Sequence, residues 1–488
     1  CRTVLYNYLF AKKQGGDFIL RIEDTDQTRF VPGAEDYIFD CLAWCGLLPD
    51  ESPRHPGAYG PYRQSERKQL YRQYAEELVA KGYAYYAFDT PEELQEMRER
   101  YKTVDQPSPQ YDRHTRMHMR NSLTLGPDKA KSLIEQGLPH VIRLKMPVDE
   151  TVTLHDLIRG EVSFETGLLD DKVLLKADGM PTYHLAVVVD DYLMEITHAF
   201  RGEEWLPSAP AHLLLWRYLG WEDRIPQWAH LPLIMGPQGK LSKRDGAKYG
   251  FPVFAMNWKD PRSGELTEGF RERGFLPEAF VNLLALLGWN DGTEQELFSL
   301  EELIEKFSLE RVHNAGARFD FEKAKWFNQE WIKRSDAASL RQEVKSLLAR
   351  HGISDPGADE QLDARINLLK ERCTLLTDFP AQLSFLYQRP AEWDLAAIRP
   401  KWNAAKQQFF AEWLRACELM PHWEPELLEK ELKEMAAAHD LKSGELMLPL
   451  RVMLVGGKFG PGVFDIASQL GREETMERIR EVLKQLSV

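Results

Sequence analysis

Residues able to do chemistry together stand at three places in the chain. Lys240 and Lys243 are three apart in Lys240-Leu241-Ser242-Lys243-Arg244, inside a stretch punctuated by Gly236, Pro237, Gly239 and Gly246. Glycine and proline make such a stretch a loop, so it carries two ammonium groups near one point. A nucleoside triphosphate expelling pyrophosphate needs such charge, because its transition state spreads negative charge over the non-bridging oxygens. Taken alone, the pentapeptide reads more simply as a solvated turn, since Lys, Ser and Gly are ordinary loop residues. The other two places reverse that reading. Glu23 directly follows the apolar run Phe18-Ile-Leu-Arg-Ile22, and Arg201 directly follows the apolar run over 196–200. In an open parallel sheet, ligands bind beyond the carboxyl ends of the strands. The residues after Glu23 also suit a turn and a helix cap, which is compatible with a site there. A carboxylate at one strand end and a guanidinium at another suit the ammonium and carboxylate of one amino acid.

The elements that must position these groups follow from periodicity and punctuation. Helices are expected over 4–13, ended by Gly15-Gly16, and over 34–44, ended by Gly46, with a third running to about Lys81. The character changes over 83–178. Residues 83–88 are strand-like, Thr90-Pro-Glu-Glu93 has capping-box spacing with proline at the first helical position, and 141–145 and 173–176 read as strands. That segment is an insertion with its own small sheet. The outer pattern resumes with a strand over 196–200 and a helix capped by Ser208 and closed by Gly220. An apolar helix over 275–289 and a capping box at Ser299-Leu-Glu-Glu302 follow, and from residue 333 onward the pattern is helical almost throughout.

Composition bounds the reading. A length of 488 residues suggests three or four domains. The 43% hydrophobic and 28% charged content is that of an ordinary globular protein. No apolar run reaches the roughly 18 residues needed to span a bilayer. A net charge of −14 disfavours indiscriminate coating of nucleic acid, DNA included, yet permits RNA binding through local basic patches. The five scattered cysteines argue for a reducing compartment and against a disulfide framework.

Taken in order, Phe18-Ile-Leu-Arg-Ile-Glu-Asp-Thr-Asp26, Gly60-Pro-Tyr-Arg-Gln-Ser-Glu-Arg67, Pro181-Thr-Tyr-His184, Arg201-Gly-Glu-Glu204 and Lys240-Leu-Ser-Lys-Arg244 resemble the bacterial glutamyl-tRNA synthetases, class I aminoacyl-tRNA synthetases. The resemblance continues through Lys325-Trp-Phe-Asn328, Leu448-Pro-Leu-Arg451 and Gly460-Pro-Gly462. It implies an α/β protein: a Rossmann-type catalytic core in two halves, 1–82 and 179–235, split by an α+β acceptor-stem-binding insertion over 83–178. A KMSKS-like loop and stem-contact region over 236–332 and an all-α anticodon-binding domain over 333–488 complete it. The implied activity joins L-glutamate to tRNA(Glu) in two steps, using ATP and Mg²⁺, in a cytoplasmic monomer. By motif, Lys243 assisted by Lys240 stabilises the leaving pyrophosphate. Glu23, Tyr183 and Arg201 line the glutamate pocket, Glu204 and Trp205 border the adenosine, and Arg372 stands near an anticodon base. The resemblance also implies that glutamate activation depends on tRNA.

The sequence departs from the family pattern at two points. A His-x-Gly-His-like signature would precede Cys1, together with the arginine and serine of the first strand. The resemblance implies that the natural start lies upstream. Some relatives hold a structural zinc in the insertion through cysteines that correspond here to Ala87, Asp89 and Thr115. Zinc needs about four good ligands, and the nearby His114 and His118 cannot rebuild the site, so no zinc is expected. A glutaminyl-type ligase is disfavoured by the helical tail, because those enzymes carry β-barrels there. A non-catalytic tRNA-binding paralogue is supported only by the missing signature.

Overall fold

The computed structural model describes residues 1–104 and 106–486, and the side chains of Lys243 and Arg244 lie outside the described part. The chain divides into two compact units, one of residues 1–269 with 280–320, the other of residues 270–279 with 321–488.

The first unit opens with helix Arg2–Lys13. Segment 18–22, expected as a strand, is extended but forms only isolated parallel bridges, Ile19 to Glu51 and Ile22 to Arg63. Its partner is broken by Pro53, Pro56, Gly57, Gly60 and Pro61. Proline cannot donate to a ladder, so pairing is confined to those points. A regular parallel ladder joins His198–Gly202 to Gln227–Leu231. It starts two residues later than expected and runs through Arg201, which sits opposite His230. Helix Ala209–Leu219 connects the two strands and stops at Gly220, whose φ of 82° is the left-handed conformation glycine adopts without penalty. Ser208 occupies the N-cap position but makes no side-chain cap. The tight turn Glu203–Ser208 runs straight into the helix, and Ala209 N–H already donates to Leu206 O.

Residues within 83–178 form the expected small sheet, with Val141–Leu144 between Ala84–Ala87 and Val173–Leu175, both pairings antiparallel. Thr90 caps helix Pro91–Arg100 with a reciprocal capping box. A hairpin, Thr151–Asp156 with Gly160–Glu165, was not anticipated. Its alternation of buried Val152, Leu154 and Asp156 with more exposed neighbours is a strand signal of period two.

Segment 179–235 and the segment 83–178 share one apolar cluster, in which Trp216, Leu185, Val189, Leu144 and Leu174 lie with almost no exposure. Helix Tyr183–Leu193 runs through it, apolar nearly all round; such a helix must be buried. The lysine loop is more ordered than its glycines suggest. Ile234–Gly236 and Gly239–Lys240 pair as a tight antiparallel hairpin with Met235 opposite Lys240. Ile234–Gly236 also pairs in parallel with Ala317–Arg318. Ser242 is then the N-cap of helix Lys243–Tyr249.

Among its described residues the second unit carries no strand. Its helices run from Phe321–Arg334 to Arg472–Leu486 around buried Phe409, Trp413, Leu450 and Ile479. Asn328, fully buried, accepts from Leu276 N–H and donates to the carbonyls of Gly274 and Thr374. It thereby ties helix Phe321–Arg334 to both neighbouring segments and satisfies groups that would be costly to bury alone.

Candidate active site

An open cleft of about 940 Å³ lies in the first unit, bounded by segment 18–23 on one side and by strand His198–Gly202 with the turn after it on the other. Glu23, Tyr183, Arg201, Glu204 and Trp205 all line it. Five of the residues singled out from the sequence, drawn from three separate motifs, thus share one cavity.

Each is held differently. Tyr183 is the first residue of its helix, and its ring packs against the Trp205 indole at 4.6 Å between centroids. Burial pushes its phenol up to about 12, against the pull of the Arg201 charge. It therefore stays a hydrogen-bond donor at neutral pH. The Arg201 guanidinium donates from Nη2 to Asp191 Oδ2 at 3.0 Å and lies 5.8 Å from the Trp228 ring centre. A guanidinium has five N–H donors, so this fixes its plane and leaves donors for a carboxylate. Glu23 is exposed to the cleft and accepts from Arg21 Nη2 at 3.3 Å. Trp205, 44% exposed, offers a flat apolar face beside the grip. Glu204 accepts from Lys240 Nζ at 3.3 Å, which brings the lysine hairpin to the edge of the cleft.

The charged layer behind these groups was missed at the sequence level. Asp190 and Asp191 end the apolar helix Tyr183–Leu193 and are buried. Asp190 accepts from Arg67 Nε at 2.7 Å, Gln64 Nε2 at 2.9 Å and the Tyr71 hydroxyl at 2.8 Å. Asp191 takes Arg21 on one oxygen at 2.9 Å and Arg201 on the other at 3.0 Å. Burial works against the charge on Arg21, but Asp191, Asp190 and Glu23 outweigh it and hold the guanidinium ionised. Two adjacent carboxylates on an otherwise apolar helix were the available signal, because buried charges are paired. A second missed feature lies beside Tyr183, where His184 Nδ1 and His212 Nε2 are 3.3 Å apart. Burial, with the Lys172 charge acting the same way, pushes His184 down to about 4. Burial, with His184 and Arg201 acting the same way, pushes His212 well below its ordinary value. Both rings are neutral at physiological pH, so neither competes with Arg201 for an anion.

Within the lysine motif, Leu241 N–H donates to Ile234 O at 2.8 Å. Ser242 donates from both its N–H and its hydroxyl to Asp245 Oδ2 at 2.7 Å. The Lys243 and Arg244 side chains lie outside the described residues. Arg372 belongs to the other unit, exposed in the short turn Lys370–Arg372. Burial lowers the pKa of Arg451, and the Arg372 charge acts the same way, so the two cations stand in one neighbourhood. Arg451 Nη1 is anchored on the carbonyls of Phe459, Gly460 and Pro461.

The positions matched to zinc ligands are occupied by hydrogen-bonding groups. Asp89 accepts from Arg120 N–H at 2.7 Å and from the Tyr111 hydroxyl at 2.9 Å. Burial raises its pKa despite those bonds. Thr115 Oγ1 donates to Gln110 O at 3.0 Å and Ala87 is packed in its strand. Among the described residues no group of three or more His, Cys, Asp or Glu could hold a metal ion.

Comparison with known proteins agrees with the architecture. Residues 1–326 match the family of class I tRNA synthetases (E and Q), catalytic domain, and residues 322–483 match an anticodon binding domain. The chain belongs to the class I tRNA synthetases, and within them to the glutamate–tRNA ligases. A relative of that name from Cytophaga hutchinsonii is 48% identical over 489 residues, covering 100% of this chain and 94% of the relative. One from Amoebophilus asiaticus is 48% identical, covering 99% and 94%. A crystal structure of a glutamate tRNA ligase from Elizabethkingia meningosepticum, in complex with its amino acid, superimposes with a TM-score of 0.93 at 45% identity, covering 100% of this chain and 96% of that one.

Proposed function

We propose that this enzyme activates L-glutamate with ATP and transfers it to the 3′-terminal ribose of tRNA(Glu). In the first step the α-carboxylate attacks the α-phosphate, forming the acyl phosphate bond of glutamyl-AMP as the bond to pyrophosphate breaks. In the second, a ribose hydroxyl attacks the acyl carbon, AMP leaves with the bonding pair, and the hydroxyl proton is lost to water. The α-carboxylate must stay free to attack, so Arg201, held by Asp191, takes the side-chain carboxylate. Glu23 faces the ammonium group, and Tyr183 donates from its protonated phenol. Trp205 and Glu204 border the adenosine. Lys240, and Lys243 by its place in the motif, neutralise the departing pyrophosphate. Magnesium, arriving with ATP, shields the phosphate charges when bound.

The observation that carries this reading is the convergence of Glu23, Tyr183 and Arg201 on one cleft, with Trp205 and the Glu204–Lys240 pair at its edge. The five-part division of the chain, the monomeric state, the cytoplasmic setting and an anticodon contact at Arg372 belong to the same proposal. No helix among the described residues is long and apolar enough to cross a membrane. The test is pre-steady-state adenylate formation by Lys243→Ala. The expected loss is roughly two to four orders of magnitude in rate, the scale of a lost transition-state charge contact, with glutamate affinity little changed. An unaltered rate would remove this loop from the mechanism.

A further inference from the structure

One contact network joins the unanticipated hairpin of the insertion to the ATP side of the cleft. The turn between Thr151–Asp156 and Gly160–Glu165 carries Arg159, whose guanidinium is shared among three segments. Nε donates to His230 O at 3.2 Å, Nη1 donates to Asn314 O at 2.9 Å, and Nη2 pairs with Glu203 Oε2. The other Glu203 oxygen accepts from Leu233 N–H at 3.2 Å, and Leu233 leads directly into the hairpin that carries Lys240. Glu203 also immediately precedes Glu204 and Trp205.

The turn is itself fixed from beneath. Asp156 Oδ1 accepts from the N–H groups of Ile158, Arg159 and His230, and Oδ2 lies 2.6 Å from His230 Nδ1. Burial raises the Asp156 pKa, but these bonds, that from His230 first, outweigh it and hold the carboxyl ionised. Leu157 N–H donates to Trp228 O, in the strand beneath Arg201. The hairpin tip is thus bonded to the segment bordering the adenosine and to the root of the lysine hairpin. Nothing in this network touches Glu23.

We propose that Arg159 is a positioning residue for the ATP subsite, tying the hairpin turn to Glu203–Trp205 and to the root of the lysine hairpin. The inference rests on the function proposed above. A planar fork bonded to three segments transmits displacement in a way one flexible ammonium cannot.

The readout is tRNA-dependent ATP–pyrophosphate exchange by the full-length enzyme. Arg159→Ala, and Arg159→Lys as the conservative variant, are expected to raise KM for ATP about tenfold while KM for glutamate stays within about twofold, the scale of a misplaced positioning group. Glu203→Gln should act in the same direction, and the double variant should be no worse than Arg159→Ala alone, since the link to Glu203 is already broken there. The thermal midpoint separates this from general unfolding. Equal loss on both substrates, or additive effects in the double variant, would overturn the inference. Absence of exchange in the unmodified enzyme would instead overturn the function itself.

Discussion

At the scale of single residues, the cleft sets one fixed cation beside two neutral rings. Arg201 is a cation whose orientation is set by Asp191 and by the Trp228 face, while His184 and His212 beside it are kept neutral by burial. Arg201→Ala should raise KM for glutamate by about 10- to 100-fold, the worth of a charge-assisted pair, with little change in KM for ATP. Asp191 keeps its bond to Arg21 in that variant, so the fold should survive. Arg201→Lys should recover little, because one ammonium does not reproduce the fork. Steady-state kinetics in each substrate separately decides this; a uniform loss would argue against a glutamate contact. That Glu23 and Arg201 face one cleft was legible from charge at strand ends. What holds the grip was not, because the partners of Asp190 and Asp191 come from positions 21, 64, 67, 71 and 201, which only the fold brings together.

At the scale of elements, caps and periodicity predicted most helices, and the misses have local causes. The strand at 18–22 lost its ladder to prolines in its partner, and the Ser208 cap was pre-empted by the turn before it. The lysine loop was read as open from its glycines, yet Gly239, at φ 132°, serves a tight hairpin and Ser242 caps a seven-residue helix. That helix is too short to stand on propensity alone. Ser242→Ala removes the hydroxyl's bond to Asp245 and should raise KM for ATP while leaving the global melting temperature unchanged; a global shift would contradict so local a role. Helix Tyr183–Leu193 gives a pH prediction. His184 has a folded pKa of about 4 against an ordinary value of 6.5. A depressed pKa contributes stability that is present above pH 6.5 and is lost as pH falls from 6.5 toward 4. Buried His212 acts in the same sense, while Asp89 and Asp171, both raised by burial, act in the opposite one. Melting temperature measured from pH 7.5 to 4.5 should therefore fall less steeply in His184→Gln than in the unmodified protein. Parallel curves would contradict the assignment.

At the scale of the molecule, a protein of net charge −14 must bind a polyanion through local cations. The function proposed above puts one such place at the exposed Arg372, whose charge acts on Arg451 in the helical unit. Arg372→Ala should raise KM for tRNA several-fold, leave KM for ATP and glutamate unchanged, and weaken discrimination at the anticodon. Aminoacylation of tRNA transcripts altered at single anticodon positions checks this. The order of the parts was legible because the motifs are strung along the chain in sequence. The contacts of the hairpin turn were not, because its links to Glu203 and His230 span 44 and 71 residues.

Glutamate-dependent ATP–pyrophosphate exchange, with and without bacterial tRNA, decides whether one cleft binds glutamate and directs ATP at it. Exchange should require glutamate, fail with glutamine, and rise sharply when tRNA(Glu) is added. Exchange supported equally by glutamine would contradict the assignment of Arg201. No exchange at all, with tRNA still bound, would contradict the catalytic reading altogether.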